Sequence, residues 1–186
     1  TSHPWDIWNV KGVVIENGIT NICDDAFANP NIYDNMASPL ISVTIPATVT
    51  SIGKRAFYQC GNLGEITIPD NVTSIGEEAF CNCSGLTAIS IPNSVTSIGT
   101  DAFSYCRNLK QITLSNKLTS ITGFENCLSL ENISIPSGIT SIGDCAFSGC
   151  SKLSIVMIPE GVTEICENAF TFCGITTVSI PESVTS

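Results

Sequence analysis

The fold class this sequence predicts is an α/β repeat solenoid, with short parallel strands on one face and short extended or helical turns on the other. Three observations predict it. An aliphatic residue recurs at Ile15, Ile45, Ile68, Ile91, Leu114, Ile135, Ile158 and Ile180, with spacings of 30, 23, 23, 23, 21, 23 and 22 residues. The unit between these markers reads Leu-x-x-Ile-x-Ile-Pro-x-x-Val-Thr-x-Ile-Gly-x-x-Ala-Phe-x-x-Cys-x-x, as in Leu63 through Gly85. Finally, Cys60, Cys83, Cys106, Cys127, Cys150 and Cys173 hold one slot, three residues after the Phe of each unit. On this reading residues 1–12 are an N-terminal cap, and residues 13–186 are one array of about seven 23-residue units with a truncated last unit. Residues 28–41 form an insertion. Because "VSIPESVTS" stops inside the unit, the chain reads as a fragment.

Each part of the unit has a physical reason. The opening "LGEITIP" (63–69) has the L-x-x-L-x-L spacing of a leucine-rich repeat. On a short strand it points Ile66 and Ile68 to one side and Thr67 to the other. Pro69 then ends pairing by removing a backbone donor. Val72 and Ile75 predict a second extended piece on the opposite wall, and Gly76 turns the chain. "EEAFCNC" (77–83) predicts one or two turns of helix that carry Ala79, Phe80 and Cys83 inward. Glu77, Glu78, Asp101, Asp144 and Glu167 would suit the positive end of that helix, with Lys54 and Arg55 as exceptions. One unit cannot bury this many apolar side chains alone. Stacked units can, with strands about 4.8 Å apart in a parallel sheet. At the N-terminus Trp5, Ile7 and Trp8 are expected to cover the first apolar layer.

The ten cysteines do not read as a metal site, which needs convergent ligands at short spacing. The chain has a single Cys-x-Cys, Cys81 and Cys83, and a single histidine, His3. Nor does a disulfide ladder fit. Equivalent side chains in a stack point the same way, whereas a disulfide needs a twist near 90° about the sulfur pair. The column is expected to be buried, reduced thiols acting as small hydrophobes. Cys23 and Cys166 replace the Gly of "SIG", as does Thr122, so that slot does not require a positive φ and reads as tight packing or a helix N-cap. Cys81 and Cys145 fill variable positions.

Composition excludes several functions. With 17 acidic and 7 basic residues the net charge is −10, which disfavours phosphate backbones and anionic lipid as partners. No apolar run approaches the roughly 20 residues of a membrane span. There is no Ser/His/Asp set, P-loop or metal-binding motif. Pairs such as Asp24–Asp25 and Glu77–Glu78 read as solvated turn residues. An enzyme is therefore not expected, and no cofactor is implied. The strand positions that alternate with the core form a shallow, hydroxyl-rich strip with few charges. Its candidate binding residues are Thr44, Glu65, Thr67, Ser90, Gln111, Thr113, Ser134 and Met157. Such a strip is either an ordinary solvent-facing β surface or an adhesive face for protein or glycan. Asn71, Asn82 and Asn132 head N-x-S/T triplets, a pattern expected by chance in so polar a chain.

The repeated unit, as in "LTAISIPNSVTSIGTDAFSYC" (86–106), resembles the BspA-type leucine-rich repeat from Val13 to Ser186. The resemblance implies a large surface or secreted protein of an anaerobic bacterium or a parasitic protist. It also implies adhesion to extracellular matrix or cell-surface protein, and no catalytic residues. An extracellular or cell-surface location follows from the same resemblance. The alternative is a structural spacer that displays another domain. The sequence departs from the pattern at "TSITGFENC" (119–127), two residues short, and at the insertion, and both are expected to alter local curvature.

Overall fold

The structure, a computed structural model, describes residues 9–29 and 38–185. Trp5, Ile7, Trp8 and most of the 28–41 insertion lie outside the described residues.

The chain winds as a β-solenoid with two walls of parallel strands. One wall contains Gly12–Val14, Ser42–Thr44 and Glu65–Ile66 as one sheet, Ala88–Ser90 with Gln111–Thr113 as a second, and Ile155–Met157 with Thr177–Ser179 as a third. The other is built from the Val–Thr–Ser–Ile stretch of each unit. It pairs Asn21–Ile22, Ser51–Ile52, Ser74–Ile75 and Ser97–Ile98, then separately Ser120–Ile121, Ser141–Ile142 and Glu164–Ile165. Register follows the repeat, with Val43 opposite Ile66 and Ile52 opposite Ile75. The extended piece expected at Val72–Ile75 is therefore present, as the strand Ser74–Ile75.

The third side of each coil corrects the sequence reading. A helical turn was expected at "EEAFCNC", and there is no α-helix among the described residues. The hydrogen bonds give the reason. In the coil of Gly53–Cys60, Ala56, Tyr58 and Cys60 donate three residues back, to Gly53, Arg55 and Phe57 (3.4, 3.0 and 3.1 Å). The alternate residues Arg55, Phe57 and Gln59 donate instead to Glu77, Ala79 and Cys81 of the next coil (2.9, 2.7 and 2.8 Å). An α-helix would spend both sets within itself, four residues back. Here half the donors are aimed along the stack, which requires left-handed backbone at two positions per coil: Arg55 and Gln59, Glu78 and Asn82, Asp101 and Tyr105. Left-handed non-glycine residues are individually unfavourable. The cross-coil bonds hold them there, so an acidic pair such as Glu77–Glu78 sits on a ladder of turns and not at a helix end.

Between these three sides the core is a set of columns. Phe57, Phe80, Phe103, Phe124 and Phe147 are fully buried. Together with Phe27 and Phe170 they stack ring on ring at 5.1–5.7 Å, within 11° of parallel. All ten cysteines are free thiols. The column thiols do more than fill space. Cys83 Sγ donates to the Phe57 carbonyl of the preceding coil at 3.1 Å, Cys106 to Phe80 at 3.2 Å and Cys127 to Phe103 at 3.3 Å. Each of these carbonyls already accepts one bond from the N–H three residues on, so the thiol occupies its second lone pair. Cys81, outside the column, is also buried. On the second wall a threonine ladder works the same way, Thr73 Oγ1 donating to the Thr50 carbonyl and Thr96 Oγ1 to that of Thr73.

The glycine slot is a tight-packing slot, one of the two readings the sequence allowed. A Cβ on Gly76 would lie 2.6 Å from the backbone of Gly53 and Lys54, while one on Gly143 would come no nearer than 3.3 Å to Ile121 O. Neither glycine has a positive φ. Gly76→Ala is expected to cost about 1–3 kcal/mol by overpacking. Gly143→Ala should be within about 1 kcal/mol of wild type, since it also reduces unfolded-chain entropy. Urea unfolding of the two variants checks this; equal losses would show that coil spacing does not control the slot.

Candidate functional site

The strand wall that opens each coil carries every candidate binding residue. Thr44, Glu65, Thr67, Ser90, Gln111, Thr113, Ser134 and Met157 are all exposed, because each alternates with an inward residue such as Val43, Ile66, Ile89 or Val156. Cross-coil pairing sets some of them side by side. Ser90 lies opposite Thr113, Ala88 opposite Gln111, and Ser42 opposite Glu65. Met157 is opposite Ser179.

The wall is not uniform: its strand pairing is interrupted between Glu65–Ile66 and Ala88–Ser90, in regular units, and again beside the short unit. The coil that starts at Leu109 has lost two residues from its turn, and Gly123, at φ 87°, takes the left-handed place held by Asp101 one coil earlier. Its Phe124 still stacks on Phe103 at 5.4 Å. In place of the proline of other units it has Ser115, buried, whose hydroxyl donates to the Val95 carbonyl at 2.7 Å. The coil is skewed between its neighbours. Its front strand, Gln111–Thr113, pairs back to Ala88–Ser90, whereas its rear strand, Ser120–Ile121, pairs forward to Ser141–Ile142. Among the described residues no strand pairing joins Gln111–Thr113 to Glu131–Ser134. The second interruption of the strand face thus lies beside the unit in which a disturbance was expected.

At that break lies an open depression of about 680 Å³. Gln111, Thr113 and Ser134 of the predicted set line it, together with Lys110, Glu131 and Asn132, and Ile112 forms its half-buried apolar floor. Thr44, Glu65, Thr67, Ser90 and Met157 lie outside it. The isolated bridge from Asn132 to Ile155 leads to an apolar pair on the next coil, Ile155 (48% exposed) and Met157 (59% exposed). Lys110 and Glu131 were missed by the sequence reading, although the 21-residue spacing from Leu114 to Ile135 marks the coil that separates them. Both are exposed. The ion pairs among the described residues are elsewhere, Lys54–Glu77 at 2.9 Å and Arg55 with Asp25 and Glu78 at 3.4 and 3.8 Å. No group of three or more His, Cys, Asp or Glu among the described residues is placed to hold a metal ion. No described helix is long and apolar enough to cross a membrane.

Comparison with known proteins agrees with this geometry. The family described as the BspA type leucine rich repeat region matches residues 31–123 and 122–186, in six copies. Among solved structures, a leucine-rich repeat protein from Bacteroides ovatus is 30% identical, with a TM-score of 0.87 over 95% of this chain and 44% of its own. A leucine rich cell surface protein from Faecalibacterium prausnitzii is 29% identical, with a TM-score of 0.53 over 95% of this chain and 62% of its own. The pneumococcal vaccine antigen PcpA is 25% identical, with a TM-score of 0.56 over 95% of this chain and 42% of its own. The chain thus spans less than two thirds of each of these proteins. No curated protein matches the sequence.

Proposed function

The chain belongs to the BspA-type leucine-rich repeat family, and from that premise we propose that it is a non-enzymatic binding module at a cell surface or outside the cell, with the strand face as its contact surface. The observation that carries this reading is the chemistry of that face. Glu65, Lys110 and Glu131 are its charges between Ser42 and Met157 in a chain of net charge −10, and the rest is hydroxyl, amide and apolar. Such a surface can be desolvated at modest cost over a broad contact. Two names support the location: the Faecalibacterium relative is a cell surface protein and the pneumococcal one a vaccine antigen.

A spacer would need interchangeable coils. The face instead changes from hydroxyls at Thr44 and Thr67 to apolar groups at Ile155 and Met157, with a depression between them, which favours a binder. The test is a screen against immobilised matrix proteins and glycans, repeated with Thr67→Asp, Ser90→Asp and Thr113→Asp. These positions are exposed, so the fold should be retained. Binding to any partner found is expected to fall at least about tenfold, roughly 1.4 kcal/mol. Undiminished binding in all three variants would remove the strand face from the proposal.

A further inference from the structure

We propose that the break in the strand face is a recognition site for an extended peptide segment of a partner protein. That segment carries an acidic, a basic and an apolar side chain within about five residues; the proposal rests on the strand-face reading above. Three independent features define the occupant. Lys110 and Glu131 take equivalent positions on successive coils, each directly after a buried leucine, Leu109 and Leu130. Both line the depression and take part in none of the ion pairs among the described residues. A cation and an anion left unpaired in the lining of an open groove are complementary to an acidic and a basic side chain arriving together. One coil further on, Ile155 and Met157 offer an exposed apolar platform, the kind of surface on which a single side chain can supply much of a binding energy.

Spacing argues for an extended chain. Three coils at about 4.8 Å place the platform about 10 Å from Lys110, a distance an extended segment covers in three residues and comfortably meets within five. The lining argues against sugar. No aromatic ring lines the depression to stack on a pyranose face, while Gln111, Asn132 and Ser134 offer the donors and acceptors that a peptide backbone needs. Asn132 also heads an N-x-S triplet, so a glycan attached there would block the site.

The probe is a displayed library of random 12-residue peptides, selected on this chain. Selection is expected to enrich acidic–basic–apolar segments whose binding weakens at least about tenfold in Lys110→Glu, in Glu131→Lys and in Met157→Asp. A segment with its two charges exchanged is expected to recover binding to the Lys110→Glu/Glu131→Lys double variant. Lys110, Glu131 and Met157 are all exposed, and circular dichroism confirms that each variant is folded. Enriched peptides indifferent to these changes but lost in Thr67→Asp or Ser90→Asp would sink the site and leave the broader strand-face reading standing. Binders insensitive to every strand-face change would sink both. A glycan that occupies the depression in place of peptide would overturn the partner class.

Discussion

Raising the pH from 8 towards 11 is expected to unfold the protein cooperatively, because its core depends on protonated thiols. Burial pushes Cys60 and Cys127 up to about 12. Cys81 is pushed up to about 12 by burial first and then by the carboxylates of Glu78 and Asp101. Cys83 and Cys106 rise well above the usual thiol range through burial, reinforced by the neighbouring column thiols. In the unfolded chain a thiol titrates near about 8.5. These groups therefore stay neutral in the fold over a range in which the unfolded chain gives up its protons. Their contribution is intact below about pH 8.5 and is lost as pH climbs from there towards about 12. Each thiol costs about 1.4 kcal/mol per pH unit in that window, so five together cost about 7. By about pH 10 this approaches the 5–15 kcal/mol that holds a typical domain together. Far-UV circular dichroism should show a steep loss near that pH, reversible on return to neutral pH with reductant present. Cys106→Ala removes one titrating group and should make the stability–pH slope shallower by about a fifth. A native spectrum at pH 11 would show that the column does not behave as a protonated core.

That column was only partly legible in the sequence. The slot of Cys60, Cys83 and Cys106 is visible as a repeat, and stacking geometry argues correctly for free thiols. Their donation to the phenylalanine carbonyls of the preceding coil is not visible, because it depends on how neighbouring coils are offset. The same distinction explains the missing helix. "AFxxC" has the apolar spacing of a helical turn, and local propensity says nothing against one. What decides the matter is a neighbour 23 residues away whose carbonyls accept Phe57 and Gln59 N–H. Periodicity gave the strands because the alternation of Ile66, Thr67 and Ile68 is local; it misread the turn because the turn's partners are not.

The strand face divides in the same manner. That Thr44, Gln111 and Ser134 point outward follows from alternation along each strand, which any single unit contains. That Gln111 and Ser134 line one depression depends on how two coils sit side by side, which no single unit contains. At the shortened coil the rear strand pairs with the following coil and the front strand with the preceding one. Irregular units are the ones in which a repeated scaffold acquires a distinct surface.

Phe103→Ala is expected to be the most damaging single substitution outside the thiol column. Phe103 is fully buried and lies between two rings, 5.2 Å from Phe80 and 5.4 Å from Phe124, within 6° of parallel with each. Truncation leaves a cavity that neither ring can fill, since each is held by its own coil. The loss should be about 3–5 kcal/mol, including two aromatic contacts of about 0.5–1.5 kcal/mol each. Phe103→Leu retains most of the volume and should cost much less, below about 1.5 kcal/mol if the coils repack around it. The position matters as much as the size. In a stack where each coil touches only its neighbours, stability is a sum of unit and interface contributions. The coil of Phe103 is also where both walls change partners: its front strand Ala88–Ser90 pairs forward to Gln111–Thr113 but not back to Glu65–Ile66, and its rear strand Ser97–Ile98 pairs back to Ser74–Ile75 but not forward to Ser120–Ile121. Here the rings carry coupling that the strands do not. Removing one should let the two halves of the array unfold separately, with a broader urea transition and a lower apparent m-value than wild type. A single sharp transition, displaced by less than about 1 kcal/mol, would show that the strands and turns alone hold the array together.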